Sequence, residues 1–155
     1  MAEVFFYHLT RSPLEATLPM LLEKSRAAGW RVLVRGGDAA RLDWLDERLW
    51  LVPEDGFLPH GLAGGPHDSA QPVLLSAEAG PPANGAQALI CVDGARADPA
   101  EIDGFTRVSI LFDGNDAAAV AAARDQWRAL TDAGAPARYW SQESGNWAEK
   151  ASKNV

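Results

Sequence analysis

The sequence predicts an α/β fold, a single-domain three-layer α/β/α sandwich with a mainly parallel sheet. Three observations predict it. Short apolar runs rich in branched and aromatic residues recur as strands at 4–9, 30–34, 72–76, 88–92 and 106–112. Segments with helical spacing separate the first strand from the second, the second from the third, and the fifth from a last extended piece, so crossovers join them and the pairing is parallel. No repeat or linker divides the 155 residues, a length at which one core buries most of the apolar surface.

Each element has a local cause. Val4, Phe5, Phe6 and Tyr7 make the first strand. Ser12 then reads as an N-cap, Pro13 as the first helical residue and Glu15 as the far side of a capping box. Leu14, Leu18, Leu21, Leu22 and Ser25 share one helical face, and Gly29 stops the helix. Pro19 removes one backbone donor inside it, so a kink or restart is expected there. Residues 30–34 form the second strand, Gly36-Gly37 turn, and Asp38 caps a helix over 39–49 whose inward stripe is Leu42, Leu45 and Leu49. The loop over 51–71 carries Pro53, Pro59 and Pro66, and loops of this length are functional or disordered. Beyond the third strand come a Pro/Gly-rich loop over 78–85, a fourth strand, a short helix or turn over 96–103, and a fifth strand. Asp116 opens the last helix over 117–133, Gly134 ends it, and an extended piece follows over 137–142. Residues 1–145 read as the domain and 146–155 as a polar tail.

Composition and charge exclude several function classes. The net charge of −7 opposes non-specific attraction to a phosphate backbone, so strong direct DNA binding is not expected of the chain. No stretch approaches the roughly 18 apolar residues of a membrane span, and the start lacks the basic region of a signal peptide. The single Cys91 lies in an apolar strand, where it is a small hydrophobe with a raised thiol pKa. A reducing, cytoplasmic setting is the expectation.

Chemistry is sparse. No G-x-x-x-x-G-K-[ST] or G-x-G-x-x-G is present, and Thr10-Arg11-Ser12-Pro13 after the first strand offers no glycine for close approach to a phosphate. Arg35-Gly36-Gly37-Asp38 reads as an anion seat or, more plainly, a turn. His60 and His67 share a loop with Asp68, but zinc or iron sites need three convergent ligands with supporting groups. A loop histidine fixing backbone carbonyls beside Pro59 is the simpler reading. No G-x-S-x-G elbow occurs. Neither a cofactor nor a metal is expected, and the chain is not expected to be an enzyme.

An interaction surface is better supported. Arg124, Trp127 and Arg128 fall at i, i+3 and i+4 on one helical face. Guanidinium groups take carboxylates and an indole takes an aromatic ring, so the set suits an acidic peptide with an aromatic end. Trp50 and Phe57 flank the Pro-bracketed loop as further walls of such a pocket. An alternative stays open on the residues alone: solvated arginines and core tryptophans.

Ordered motifs along nearly the whole chain add a resemblance. Phe6-Tyr7-His8-Leu9, Gly29-Trp30-Arg31-Val32-Leu33-Val34, Leu49-Trp50, Phe57-Leu58-Pro59-His60-Gly61, Gln71-Pro72-Val73-Leu74-Leu75, Phe112-Asp113-Gly114, Arg124 to Trp127, Tyr139-Trp140 and Gly145-Asn146-Trp147 together resemble the chi subunit family of bacterial DNA polymerase III. The resemblance implies a nucleotide-binding-like fold without a phosphate loop. It also implies a non-catalytic adaptor that binds the acidic, Phe-terminated C-terminal tail of single-stranded DNA-binding protein and links it to the clamp-loader complex. By that likeness Trp50, Phe57, Arg124, Trp127 and Arg128 form the tail pocket. Arg124 then holds the terminal carboxylate, Trp50 and Trp127 the terminal ring, and Arg128 the upstream acids. Trp127 and Arg128 stand where some relatives carry Tyr and Lys. A psi subunit on a separate apolar surface and a repair helicase are the other partners the resemblance implies; a degenerate nucleotide-binding enzyme is the alternative of another class.

Overall fold

The computed structural model describes residues 2–51, 60–78, 80–142 and 146–155. Eight strands form one sheet in the order β3-β4-β2-β5-β6-β1-β7-β8. They are β1 (Glu3–Leu9), β2 (Val32–Gly36), β3 (Gly61–Leu62), β4 (Val73–Ser76), β5 (Ala88–Val92), β6 (Arg107–Asp113), β7 (Ala137–Ser141) and β8 (Ala148–Lys153). Helices α1 (Leu14–Ala27), α2 (Ala39–Leu51) and α3 (Ala117–Asp132), with two short 3-10 turns at Asp68–Ala70 and Ile102–Gly104, complete the described elements. Every pairing is parallel except β7 with β8, which is antiparallel. The expected α/β sandwich with a mainly parallel sheet is what forms.

Two apolar layers flank the sheet because alternate strand residues point to opposite faces. Leu9, Val32, Val34, Leu75 and Ile90 pack with Leu18, Leu22, Leu42, Leu45 and Leu49 beneath α1 and α2. Val4, Phe6, Leu89, Val108 and Ile110 pack with Ala123 and Leu130 beneath α3. Strands β2 and β5 are buried at every position, which explains their unbroken apolar character.

The caps expected at α2 and α3 are made. Asp38 Oδ1 accepts from Ala40 N at 2.9 Å, and Asp116 Oδ1 accepts from Ala118 N at 3.0 Å. At α1 the structure differs: the N-cap is Pro13 with no side-chain bond. Ser12 is drawn elsewhere, its Oγ accepting from Gln142 Nε2 at 3.1 Å. Nor does α1 restart at Pro19: the helix is continuous through this buried sixth residue, which lies past the first turn and leaves the carbonyl of Glu15 without its helical donor. The last correction concerns the C-terminal segment. Residues 148–153, expected as polar tail, form β8, and Asn154 Nδ2 anchors them by donating to Thr131 O and Ala135 O, both at 3.0 Å.

Arg35 is an internal clamp. Its side chain is 5% exposed and pairs with both oxygens of Glu101, at 2.8 and 3.0 Å. It also donates to Arg96 O at 3.1 Å and Gly80 O at 3.2 Å, tying two loops onto the sheet face that α3 leaves open. Gln126 on α3 continues the tie, bonding both Ala97 N and Ala97 O at 2.9 and 2.8 Å.

Candidate functional site

Adjacent strands β1 and β6 exit to opposite faces, into α1 and α3 respectively, so a crevice of about 910 Å³ opens beyond their C-terminal ends. Open α/β sheets bind ligands at such a switch point. Here the chain consumes the donors that a phosphate would need. Gln142, itself buried, points its Oε1 at the N–H groups of Thr10, Arg11 and Ser12, at 3.2, 3.3 and 3.2 Å. Asp38 and Asp116 fill the ends of α2 and α3. Asp93 and Asp113 add carboxylates to the rim. Burial pushes the Asp93 carboxyl up, against the opposing pull of Arg41. Gly37 belongs to the packing here: a side chain on it would collide with the carbonyl oxygen of Asp93. Amide and carboxylate oxygens in those positions oppose a phosphate, although Arg11, Arg41 and Arg96 also line the crevice.

His60 has a structural role, whereas His67 is exposed. His60 is buried, with Nε2 at 3.1 Å from Asp46 O and 3.2 Å from Asp46 Oδ1. Asp68 accepts from Gly64 N and Gly65 N at 2.9 and 3.0 Å. Among the described residues no three His, Cys, Asp or Glu side chains gather as a metal set. Cys91 is fully buried, and burial raises its thiol to about 12.

Of the five residues expected to share one pocket, three stand together on α3 and Trp50 lies on another helix. Trp50 ends α2, on the layer opposite α3, with its side chain against the His60 ring at 4.2 Å between centroids. It is 52% exposed, and Leu51 beside it is 64% exposed. Phe57 lies outside the described residues. Arg124, Trp127 and Arg128 do share a face, on α3. Helical spacing alone assembles that trio; layer membership, which the sequence does not display, separates Trp50 from it.

Trp127 is half-buried between solvent and core. Its ring packs edge-on against Phe6 at 5.2 Å and Tyr139 at 6.0 Å. Tyr139 is held in turn by His8. His8 Nε2 faces Gly114 O at 3.3 Å and therefore carries the proton, so Nδ1 accepts from the Tyr139 hydroxyl at 2.8 Å. The close approach explains Gly114: any Cβ there would collide with the His8 ring. Arg124 is exposed and makes no hydrogen bond or ion pair among the described residues. Arg128 has Asp125 at 3.6 Å, with side chains 70% and 63% exposed, a pair that solvent screens. The surface therefore offers two mobile cations beside a fixed aromatic ledge. Tyr139 was missed as part of it, although its alternation with Ala137 puts both residues on the α3 side of β7.

The chain matches, over residues 1–138, the family model described as DNA polymerase III chi subunit, HolC. It is also 32% identical over 139 residues to the DNA polymerase III subunit chi of Pseudomonas aeruginosa, covering 88% of this chain and 94% of that protein.

Proposed function

The chain belongs to the DNA polymerase III chi subunit family, and from that premise we propose that it is a non-catalytic adaptor in DNA replication. It captures the acidic C-terminal tail of single-stranded DNA-binding protein and links that protein to the clamp-loader complex. The observation that carries the tail reading is the joint exposure of Arg124 and Arg128 beside the half-buried Trp127 on one side of α3. A tail ending in Phe with a free carboxylate needs both kinds of group. Arg124 takes the terminal carboxylate in paired hydrogen bonds, while Trp127 and Tyr139 offer ring surface to the Phe. Arg128 exchanges its screened Asp125 contact for acids upstream.

Mechanism here is linkage. A micromolar contact, about −8 kcal/mol, is broken quickly. Several tails on one oligomeric partner raise the effective concentration without new contacts. The net charge of −7 keeps naked DNA from competing for the same surface.

Trp50 takes a different role in this reading. Two large apolar side chains exposed together at the end of α2, Trp50 and Leu51, suit an apolar protein contact. We assign this second surface to the clamp-loader side, met directly or through a psi subunit; a repair helicase is the alternative occupant.

The test is a titration of the protein with a synthetic acidic peptide ending in Phe, followed by tryptophan fluorescence. Saturable binding is expected, lost with Arg124→Ala and with a peptide lacking the terminal Phe, and kept with Trp50→Ala. Absence of binding at high micromolar peptide in low salt refutes the reading.

A further inference from the structure

Strand β8 lies C-terminal to the residues that the family model matches, so that likeness is silent about it. Its register puts it beside the α3 surface. Tyr139 pairs with Ala151 and Ala137 with Lys153, and paired residues face the same side of a sheet. Ala137 and Tyr139 pack under α3, so Ala151 and Lys153 emerge on that side. Lys153 Nζ lies 4.0 Å from Asp132 Oδ1, with side chains 53% and 75% exposed. That contact is long and solvated, and it leaves the ammonium available.

We propose that Lys153 is a third cation of the peptide-binding surface, completing with Arg124 and Arg128 a row that sets the direction in which an acidic peptide lies. This rests on the tail reading above and extends it. Arg124, Arg128 and Asp132 fall at i, i+4 and i+8 on α3, each step about 6 Å along the axis. Lys153 stands against the last of these positions. Alternate residues of an extended peptide are about 6.6 Å apart, so a carboxylate at every second position meets each cation in turn. With the terminal carboxylate on Arg124, the chain runs toward the C-terminal end of α3.

That direction meets an electrostatic obstacle, which the residue after β8 lessens. The last carbonyls of a helix carry partial negative charge and repel an acidic peptide. Asn154 donates to one carbonyl of the last turn of α3, Thr131 O, and to Ala135 O just beyond the helix, from a left-handed backbone position at φ 62°. It thereby fixes Lys153 beside the helix end. Ala151, small, is the residue of β8 that pairs with Tyr139.

The experiment uses the full chain and two fluorescein-labelled peptides ending in Phe. One carries Asp at alternate upstream positions; the other carries Asn there. Fluorescence anisotropy is read for wild type, Lys153→Ala, Lys153→Glu, Asp132→Asn and Arg124→Ala. Lys153→Ala is expected to weaken the acidic peptide about two- to fivefold, and Lys153→Glu about tenfold, with the Asn peptide unchanged. Asp132→Asn tightens the acidic peptide by about twofold. If Lys153→Glu binds the acidic peptide as wild type does while Arg124→Ala abolishes binding, the Lys153 proposal is wrong and tail capture stands. Equal weakening of both peptides by Lys153→Ala also overturns it, because the effect is then on the strand and not on charge. If wild type binds neither peptide, or Arg124→Ala changes nothing, tail capture itself fails and this inference goes with it.

Discussion

Replacing Glu101 with Gln keeps the shape of the side chain and removes its charge, leaving the Arg35 guanidinium buried with no counter-ion. Arg35 retains two carbonyl acceptors, Arg96 O and Gly80 O, but an amide –NH₂ now competes for the space between them. Removing one partner of a buried pair costs 3–5 kcal/mol, and the low end applies because the Glu101 side chain is 26% exposed. About 3 kcal/mol in a domain of this size lowers Tm by about 6–12 °C. A double change, Arg35→Met with Glu101→Leu, removes both charges and replaces them with apolar volume. Such swaps are close to neutral, so most of the loss is recovered. Thermal melts by circular dichroism, paired with urea titrations at pH 7, measure all three proteins. A Glu101→Gln protein melting within about 2 °C of wild type, or a double variant as unstable as the single one, would refute the clamp.

Further outcomes follow from the same kind of argument. Asp93→Asn is expected to raise stability at pH 7, because burial lifts this carboxyl above its usual 3.8 and the ionised form is disfavoured in the fold. The gain shrinks as pH falls through the raised folded-state value and is gone below 3.8, where Asp93 is protonated folded and unfolded alike; a pH series of urea midpoints checks it. Cys91 should react with a thiol reagent at neutral pH only at the rate of opening, since its thiol is buried and lifted to about 12, whereas the urea-unfolded protein reacts at once. Gln142→Ala leaves the donors of Thr10, Arg11 and Ser12 without their shared acceptor and is expected to cost about 2 kcal/mol. Calorimetry on that variant should show no gain of ATP binding, because the rim carboxylates remain. Trp50→Ala, at a side chain half in solvent, should leave Tm within about 2 °C of wild type.

What the sequence made legible was local. Asp38 and Asp116 cap where the residue types say they should, and Leu42, Leu45 and Leu49 face inward as their spacing requires. Arg124, Trp127 and Arg128 share a face because one helix carries them. The failures share the opposite cause. Ser12 does not cap α1 because Gln142, 130 residues away, competes for its hydroxyl. Residues 148–153 carry no apolar alternation, so β8 is visible only once β7 offers it an edge. Arg35 reads as an ordinary charge after an apolar run; the carboxylate that justifies burying it lies 66 residues on. Trp50, as an aromatic beside a Pro-bracketed loop and by resemblance, reads as a wall of the Trp127 pocket, and only the packing of α2 and α3 on opposite faces divides them.

On the adaptor function proposed above, that division has a consequence for behaviour in a mixture. Two surfaces separated by a sheet and the helices that cover it share no side chain, so what binds one leaves the other unchanged and the two affinities multiply. A bridge of this kind has an optimum dose. Below it, too few adaptors join the two partners; above it, each partner carries its own adaptor and the ternary complex dissolves into pairs. Crosslinking yield against adaptor concentration should therefore rise and then fall, and the position of the maximum reports the two dissociation constants together.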